Sequence, residues 1–439
     1  MICAMTDQRP EALLQQLRAR ALPAWFDGAK LGVLPHWGPS AVPAWAEPIG
    51  NFHEIAKAHG WEYWFRHDAY PEWYWNTIRI ENSPARAWHE ATFGKNFEYQ
   101  RFGPMFDEAA RQFRPETWAT LFADAGVRYV VLVSKHHDGW TLWPSTTPNP
   151  FIPGWHATRD LVGELGAAVR ARGLHYGLYY SGGLDWTFEP GPIRDLPSLM
   201  KCIPQSAQYL AYANAHWREL IARYAPCVMW NDIGYPRDAD LVQLFADYYT
   251  AVPDGVVNDR FVFGSQPHLD FNTPEYSTIA DIYPRKWELT RGIGLAFGYN
   301  RNETPAHSLS LWELVHLLCD VVSKNGNLLL GVGPMPDGTI PPLQRERLLG
   351  LGRWLAACGE AIYGTRPWRR AAGVTSDGTP VRFTQKGGAL YALVLGSPST
   401  RKIEIEGLPI APSARVTRLA ENDSGSPAFA LQIDPAPAV

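Results

Sequence analysis

The chain has 439 residues, 46% of them hydrophobic, and its formal net charge at pH 7 is −4. This length exceeds what a single hydrophobic core usually serves, so we expect one large and one small domain. Because Lys and Arg are neither in excess nor clustered, the chain lacks the basic surface that binds a phosphate backbone. We therefore expect no nucleic-acid partner.

The cysteines and the apolar runs bear on where the protein resides. The five cysteines, one of them Cys3, are scattered and contain no C-x-x-C pair, which fits reduced thiols rather than disulfides or a zinc site. The N-terminus lacks the unbroken apolar segment of a secretory signal, and nowhere do about 18 apolar residues run together. We predict a cytoplasmic protein without a membrane partner, and the sequence leaves open a homo-oligomer.

Apolar runs that end in a polar residue recur along the chain and alternate with helical patterns. The runs, read as buried strands, are 31–39, 129–133, 175–183, 227–232, 256–260 and 327–334. The helical patterns are 115–125, 158–173, 205–224, 238–251, 310–322 and 342–357. Thr158 is predicted to cap the second of these helices, and Ser310 with Glu313 forms a capping box.

The stretch from Gly50 to Phe106 has neither a helical nor a strand period, although it is dense in aromatic residues such as those of YPEWYW at 70–75. We predict a long loop between the first strand and the next helix. A long loop inside a compact domain is more often functional than idle.

The alternation of strands and helices predicts a parallel β/α architecture, best fitted by a (β/α)₈ TIM barrel that spans 1–362. The pattern changes after Gly364, where short alternating runs follow one another without helices between them. This change predicts a small C-terminal antiparallel β-sandwich over 363–439. Its predicted strands are 381–385, 389–396, 402–408, 414–420 and 429–434.

Polar side chains gather at the ends of the predicted strands. They are His36, His136, His137, Tyr179, Asp232 and Arg260, and Glu72 and Glu275 lie on nearby loops. A site lined by these polar side chains suits a neutral polyol that is held by hydrogen bonds. The 19 Trp of the chain could supply aromatic rings on which such a ligand stacks. Glycoside hydrolysis needs a carboxylate pair of this kind, one as nucleophile or base and the other as proton donor.

Two other kinds of site receive less support. The adjacent His136 and His137 are possible metal ligands. However, neighbouring strand residues point to opposite faces, and no H-E-x-x-H motif or Cys partner is present. The string GIGLAFG at 292–298 lacks the spacing of a nucleotide-binding loop. We therefore predict neither a metal nor a cofactor.

Eight strings occur in an order that resembles the α-L-fucosidases of glycoside hydrolase family 29. They are HWGP (36–39), EWY (72–74), SKHHDGWTLW (134–143), GLYYSGGLDW (177–186), WNDIGYP (230–236), VNDRF (257–261), RGIGLAFGYNRNE (291–303) and SKNGNLLLGVGP (323–334). The resemblance runs from about Trp25 to Tyr363. It implies a barrel-like catalytic domain, a β-sandwich and a retaining mechanism.

The resemblance also implies individual roles. Asp232 matches the nucleophile and Glu275 the general acid/base, although Glu72 is a rival because the acid/base shifts position within the family. Phe297 matches an aromatic residue of the pocket that receives the sugar's methyl group. The residues that match sugar-binding positions are His36, Glu72, Trp73, His136, His137, Tyr179, Trp230, Arg260 and Phe297.

The expected activity is that of a retaining exo-α-L-fucosidase acting on fucosylated oligosaccharides or glycoconjugates through a covalent intermediate on Asp232. Two alternatives remain open. One is a catalytically silent, lectin-like protein that binds fucose in the same pocket. The other is a glycosidase for an L-galactose-like sugar, which a closed pocket at Phe297 would reject because of its C6 hydroxyl.

Overall fold

A computed structural model describes residues 9–397, 402–419 and 426–437. Within these ranges, seven parallel strands form the first sheet: β1 (Leu31–Pro35), β2 (Tyr129–Lys135), β3 (His175–Tyr180), β4 (Val228–Asn231), β5 (Val256–Val257), β6 (Trp287–Gly292) and β7 (Gly326–Val332). Their spatial order is β5-β4-β3-β2-β1-β7-β6. Nearly all of their residues are buried, as expected for parallel strands that are covered on both faces.

The segment 270–276 lies between the two edge strands, β5 and β6, and pairs with both of them. Asp270 N donates to Val257 O (2.9 Å) on one side, and Glu288 N donates to Asn272 O (2.8 Å) on the other. The segment thus takes the place of an eighth strand and closes the sheet into a barrel. Because all strands run parallel, their carboxyl ends meet at one mouth, and the predicted barrel fold is confirmed.

Helices surround the barrel: of those described, two precede β1, and the others lie between or after the strands in the chain. They are α1 (Arg9–Arg18), α2 (Ala24–Ala29), α3 (Phe52–His59), α4 (Trp61–His67), α5 (Tyr74–Thr77), α6 (Pro84–Phe93), α7 (Phe102–Ala110), α8 (Pro115–Asp124), α9 (Leu161–Ala171), α10 (Leu196–Lys201), α11 (Ala207–Tyr224), α12 (Leu241–Ala251), α13 (Leu311–Ser323) and α14 (Pro342–Cys358). The six predicted helices correspond to α8, α9, α11, α12, α13 and α14.

One of the two predicted helix caps is present. Ser310 Oγ accepts from Glu313 N (3.2 Å) while Glu313 Oε2 accepts from Ser310 N (2.8 Å), which confirms the capping box of α13. The assignment of Thr158 as the cap of α9 is wrong, because it lies too far before the first turn. Asp160 occupies that position instead, and its Oδ1 accepts from Gly163 N at 2.9 Å.

The prediction of a long loop from Gly50 to Phe106 is also wrong, because this stretch contains α3 to α6 and the start of α7. These helices have between 4 and 10 residues, and aromatic side chains occur on several of their faces. The sequence therefore shows no run of hydrophobic residues spaced at the helical period of 3.6, the pattern by which a one-sided helix is recognised. The rings pack on one another, as Trp75 does on Tyr99 with centroids 4.8 Å apart.

A second, antiparallel sheet follows the barrel. Its described strands are β8 (Arg366–Val374), β9 (Pro380–Lys386), β10 (Ala389–Val394), β11 (Arg415–Leu419) and β12 (Phe429–Asp434), in the order β11-β12-β10-β9-β8. The strand predicted at 402–408 is wrong, because within the described residues this stretch makes one isolated bridge, from Ile405 to Thr375, and no ladder. Conversely, β8 was not predicted. Arg382 Nε on β9 contacts Asp320 Oδ1 on α13 at 2.7 Å, so the sheet packs against the barrel's helices.

No helix within the described ranges is long and apolar enough to cross a lipid bilayer. Cys3 and the start of the N-terminal segment, on which part of the localisation argument rests, lie outside the described residues. The cytoplasmic location and the domain boundary between residues 362 and 363 stay predictions.

Candidate active site

A cavity of about 220 Å³ opens at the carboxyl ends of the barrel strands. Its wall contains every side chain that the sequence analysis singled out for the site. These are His36, Glu72, Trp73, His136, His137, Tyr179, Trp230, Asp232, Arg260, Glu275 and Phe297. The structure thus brings all eleven together, while their individual roles stay predictions.

Asp232 follows the last residue of β4 and turns its carboxylate into the cavity. Tyr179 Oη donates to its Oδ2 at 2.7 Å, and Arg260 Nη1 donates to its Oδ1 at 2.9 Å. The backbone N–H of Ile233, a residue with φ of 52°, donates to Oδ1 at 3.0 Å. Three donors therefore fix this carboxylate and stabilise its negative charge.

Glu275 lies on the segment that closes the barrel, next to the same arginine. Arg260 Nη1 and Nη2 each donate to Glu275 Oε2 at 3.2 Å, and Tyr70 Oη donates to Oε1 at 3.1 Å. Thr273 holds the guanidinium by accepting from its Nε (2.8 Å) and Nη2 (2.9 Å). Since Asp232 Oδ1 and Glu275 Oε2 both lie within 3.2 Å of Arg260 Nη1, they lie within twice that distance of each other.

Burial raises the pKa of Glu275 above its ordinary value. The positive charge of Arg260 opposes this shift, and the negative charge of Asp232 adds to it. A carboxyl group that keeps its proton to higher pH can serve as a general acid. The part of the pKa shift that comes from Asp232 depends on whether that carboxylate is charged.

Glu72 lies in the same cavity but bonds to backbone rather than to Arg260. Its Oε1 accepts from Phe297 N at 3.3 Å and its Oε2 accepts from Gly298 N at 3.1 Å. The residue is 3% exposed, and burial raises its pKa to about 7. Glu72 therefore anchors a loop, whereas Glu275 shares a guanidinium partner with Asp232.

We call residues 294–298 the pocket-wall loop, because it carries Phe297 into the cavity. Glu303 Oε1 accepts from Leu295 N and from Ala296 N, both at 3.0 Å. Glu72 accepts from the next two N–H groups of the loop. Four consecutive backbone N–H groups therefore donate to two carboxyl groups. Burial raises the pKa of Glu303 to about 7 as well.

Two glycines make this packing possible. A Cβ at Gly294 would lie 1.8 Å from Glu303 Oε2, and a Cβ at Gly331 on β7 would lie 2.7 Å from Phe297 Cδ1. Because no side-chain carbon fits at either position, the glycines of GIGLAFG and of the neighbouring strand serve close packing around the pocket.

Three neighbouring histidines line the cavity in their neutral form. The ring centroids of His36 and His136 are 4.4 Å apart, and those of His136 and His137 are 3.7 Å apart. Burial lowers the pKa of His36 to about 3, and it lowers the pKa of the other two well below the ordinary value. A neutral imidazole offers one donor and one acceptor, which is what sugar hydroxyls require.

The hydrogen bonds of His137 indicate its tautomer. Ser181 Oγ donates its only hydrogen to Leu184 O at 2.7 Å, so it accepts from His137 Nδ1–H at 2.6 Å. Nε2 is then unprotonated and lies 4.0 Å from Asp232 Oδ2. It can accept a hydrogen bond from a substrate hydroxyl beside that carboxylate.

The expectation that His136 and His137 point to opposite faces is wrong, since both line the cavity. β2 ends at Lys135, so the alternation of a strand no longer applies to the two rings. Within residues 9–397, 402–419 and 426–437, no three His, Cys, Asp or Glu side chains are grouped so that they could hold a metal ion.

Aromatic rings form much of the remaining wall. Trp230 stacks on Tyr179 with centroids 5.2 Å apart, and its Nε1 donates to Glu288 Oε1 at 3.1 Å. Trp73 meets the ring of His137 edge to face at 5.1 Å. Phe297 contacts Tyr70 in the same manner at 5.8 Å. The cavity thus offers flat apolar surfaces beside its polar groups, as a sugar requires.

Three side chains that hold the site in place were not among the predicted site residues: Tyr70, Ser181 and Glu303. Each of them lies in a string named above, namely YPEWYW, GLYYSGGLDW and RGIGLAFGYNRNE. Their partners are distant in the chain or on backbone atoms, so no local pattern reveals them. Tyr70 and Glu275, for example, are 205 residues apart.

Comparison with known proteins extends these observations. The model of the family described as alpha-L-fucosidase matches residues 3–360. The tissue alpha-L-fucosidase of Bos taurus is 36% identical over 421 residues, which cover 92% of this chain and 81% of the bovine protein. The tissue alpha-L-fucosidase of Homo sapiens is 34% identical over 420 residues, which cover 92% of this chain and 82% of the human protein.

Solved structures agree with this assignment. The crystal structure of Thermotoga maritima alpha-fucosidase in complex with fucose has 43% sequence identity and a TM-score of 0.85, covering 95% of this chain and 98% of that chain. The resemblance inferred from the eight sequence strings is thereby confirmed. The chain belongs to the α-L-fucosidase family and is a glycoside hydrolase.

Proposed function

We propose that this protein is a retaining exo-α-L-fucosidase in which Asp232 is the nucleophile and Glu275 the general acid/base. The observation that carries the proposal is the contact of both carboxyl groups with the Arg260 guanidinium. The structure of the Thermotoga maritima enzyme with fucose, which is 43% identical, supports L-fucose as the sugar that is released.

In the first step, a carboxylate oxygen of Asp232 attacks the anomeric carbon while the bond to the leaving oxygen breaks. Glu275 transfers its proton to that oxygen, and the aglycone departs as a neutral alcohol. Arg260 and Tyr179 hold Asp232 in position for the attack. A covalent fucosyl-enzyme results.

In the second step, Glu275 removes a proton from water, and the oxygen of that water attacks the anomeric carbon. The bond to Asp232 breaks, and L-fucose leaves with its original anomeric configuration. The ester has no negative charge, so one cause of the raised pKa of Glu275 is absent in the intermediate. Glu275 therefore holds its proton more readily before the first step, as a proton donor must, and loses it more readily before the second step, as a base must.

The spacing of the carboxyl groups supports retention over inversion. Retaining enzymes place the two groups about 5 to 5.5 Å apart, and inverting enzymes place them about 6.5 to 9.5 Å apart to admit a water. Asp232 Oδ1 and Glu275 Oε2 lie within 3.2 Å of the same nitrogen, so these two oxygens are closer together than the roughly 6.5 Å at which the inverting range begins.

The bonding of Glu72 supports Glu275 as the acid/base. Both oxygens of Glu72 accept from backbone N–H groups of the pocket-wall loop. Donors in these positions keep the carboxyl group directed at the loop that carries Phe297. We assign Glu72 to the shape of the sugar pocket and to sugar binding, beside the neutral histidines.

The test uses the variants Asp232→Ala, Glu275→Ala and Glu72→Ala with an aryl α-L-fucoside. We expect Asp232→Ala to lower kcat by more than about 1000-fold, as removal of a nucleophile does. Azide should restore turnover to Glu275→Ala, giving a fucosyl azide, and should not restore it to Glu72→Ala. Near-wild-type activity of Asp232→Ala, or inverted fucose in the NMR spectrum of the first product, would refute the mechanism.

Two results would favour the alternatives. Binding of fucose by the wild-type protein without turnover of any fucoside would indicate a lectin-like protein. Faster hydrolysis of an aryl α-L-galactoside than of the fucoside would indicate an L-galactose-like substrate, contrary to the position of Phe297 against the pocket wall.

A further inference from the structure

The wall of the catalytic cavity is polar in its inner part and apolar where it opens to solvent. The polar groups of the proposed mechanism lie on its inner part and are largely buried. The outer side chains are apolar and partly or largely exposed: Phe52, Trp61, Leu196, Leu199 and Ile233. We call these five residues the apolar mouth.

Further exposed apolar side chains adjoin the apolar mouth. Leu196 is 40% exposed and Met200, one turn later on α10, is 43% exposed. Phe263 is 57% exposed, and its ring lies over Gly234, where a Cβ would be 3.1 Å from Phe263 Cε2. Three of the eight large hydrophobic side chains that are exposed in the described ranges thus gather beside one opening. Such a patch indicates a binding surface.

The apolar mouth lies on the path of the leaving group. Glu275 must donate its proton to the leaving oxygen, so the aglycone extends outward from this carboxyl group. His53 Nε2 bonds to Glu275 O at 2.8 Å, and the ring of Phe52 packs on that of His53 with centroids 3.8 Å apart. The ring of Phe52 therefore packs on a residue that is bonded to Glu275, and it forms part of the wall of the same cavity.

We infer that the leaving-group site of this enzyme takes an aglycone with an apolar surface, alkyl or aryl, in preference to a bare sugar. This inference rests on the proposed function, because it assigns Glu275 to the proton transfer. An alkyl chain in the mouth removes apolar surface of both partners from water. A sugar at the same place can stack one face on Phe52 or Trp61, but its hydroxyls lose water without gaining hydrogen bonds from the aliphatic side chains of the mouth.

The test compares methyl and octyl α-L-fucosides, whose leaving groups are both simple alcohols and differ in apolar length. We expect kcat/KM to be at least about tenfold higher for the octyl compound, measured below its micellar concentration. The variants Leu196→Ser and Phe263→Ser should each lower the octyl-to-methyl ratio about three- to tenfold. Leu196 is 40% exposed and Phe263 is 57% exposed, so neither change should unfold the protein.

The control is Met105→Ser, which removes an equally exposed apolar side chain (45%) on α7, away from the cavity. It should leave the ratio at its wild-type value. Equal kcat/KM for the two fucosides in the wild-type enzyme, or a ratio that Leu196→Ser and Phe263→Ser both leave intact, would overturn the inference and leave the proposed function standing. Failure to cleave either fucoside would refute both.

Discussion

Removal of the Glu303 side chain should destabilise the pocket-wall loop. In Glu303→Ala, Leu295 N and Ala296 N lose their common acceptor. A buried donor without a partner costs about 1 to 3 kcal/mol, so the two together cost about 2 to 6 kcal/mol. Because Glu303 is partly exposed and water can reach its site, we expect the lower half of that range.

The variant Glu303→Gln separates the hydrogen bonds from the charge, because its carbonyl oxygen can still accept from both N–H groups. The pKa of Glu303 is raised from 4.5 to about 7 in the folded protein. Between these values the folded state binds more protons than the unfolded state, so the contribution of Glu303 to the free energy of unfolding falls as pH rises. After allowing for partial exposure, this loss amounts to about 1 to 2 kcal/mol.

The assay is urea unfolding followed by tryptophan fluorescence, for wild type, Glu303→Ala and Glu303→Gln at pH 5 and pH 8. Glu303→Gln should gain stability relative to wild type between pH 5 and pH 8, and Glu303→Ala should be the least stable variant at pH 5. KM for an aryl fucoside should rise in Glu303→Ala, because the loop positions Phe297. A Glu303→Ala variant as stable as wild type would contradict the assigned hydrogen bonds, and a Glu303→Gln variant that loses relative stability as pH rises would contradict the raised pKa of Glu303.

Two further predictions concern the site itself. In Ser181→Ala, His137 Nδ1–H loses its acceptor, so KM should rise about five- to tenfold with an unchanged circular dichroism spectrum; an unchanged KM would contradict the assigned tautomer. In Arg260→Met, the positive charge that lowers the pKa of Glu275 is gone, so the alkaline limb of the kcat/KM profile should move to higher pH while kcat falls. A limb that moves to lower pH would show that a different group serves as the acid.

Much of the candidate site could be predicted from local sequence pattern. His36, Tyr179 and Asp232 each follow a short apolar run, and a parallel barrel must bring the ends of such runs to one mouth. The pattern of polar residues at strand ends was therefore enough to group the side chains before any contact was known. The family resemblance added roles to them, which the variants above will test.

Other features depended on contacts between distant parts of the chain. The segment 270–276 lacks the apolar alternation of a strand, yet its backbone pairs with β5 and β6 and closes the barrel. The aromatic helices between Gly50 and Phe106 have no one-sided stripe because they pack on several sides. The orientation of His136 and His137 follows from a turn after β2, which a strand pattern could not anticipate.

The sequence alone thus determined that the polar side chains at the strand ends reach the mouth of the barrel, because strand ends and hydrophobic periods are local properties of the chain. Only the tertiary structure decided how those side chains are bonded: Arg260 to both Asp232 and Glu275, and Glu72 to backbone N–H groups of the pocket-wall loop. Hydrogen bonds and ion pairs act over about 3 Å, and residues that are far apart in the chain come this close only when the fold places them together.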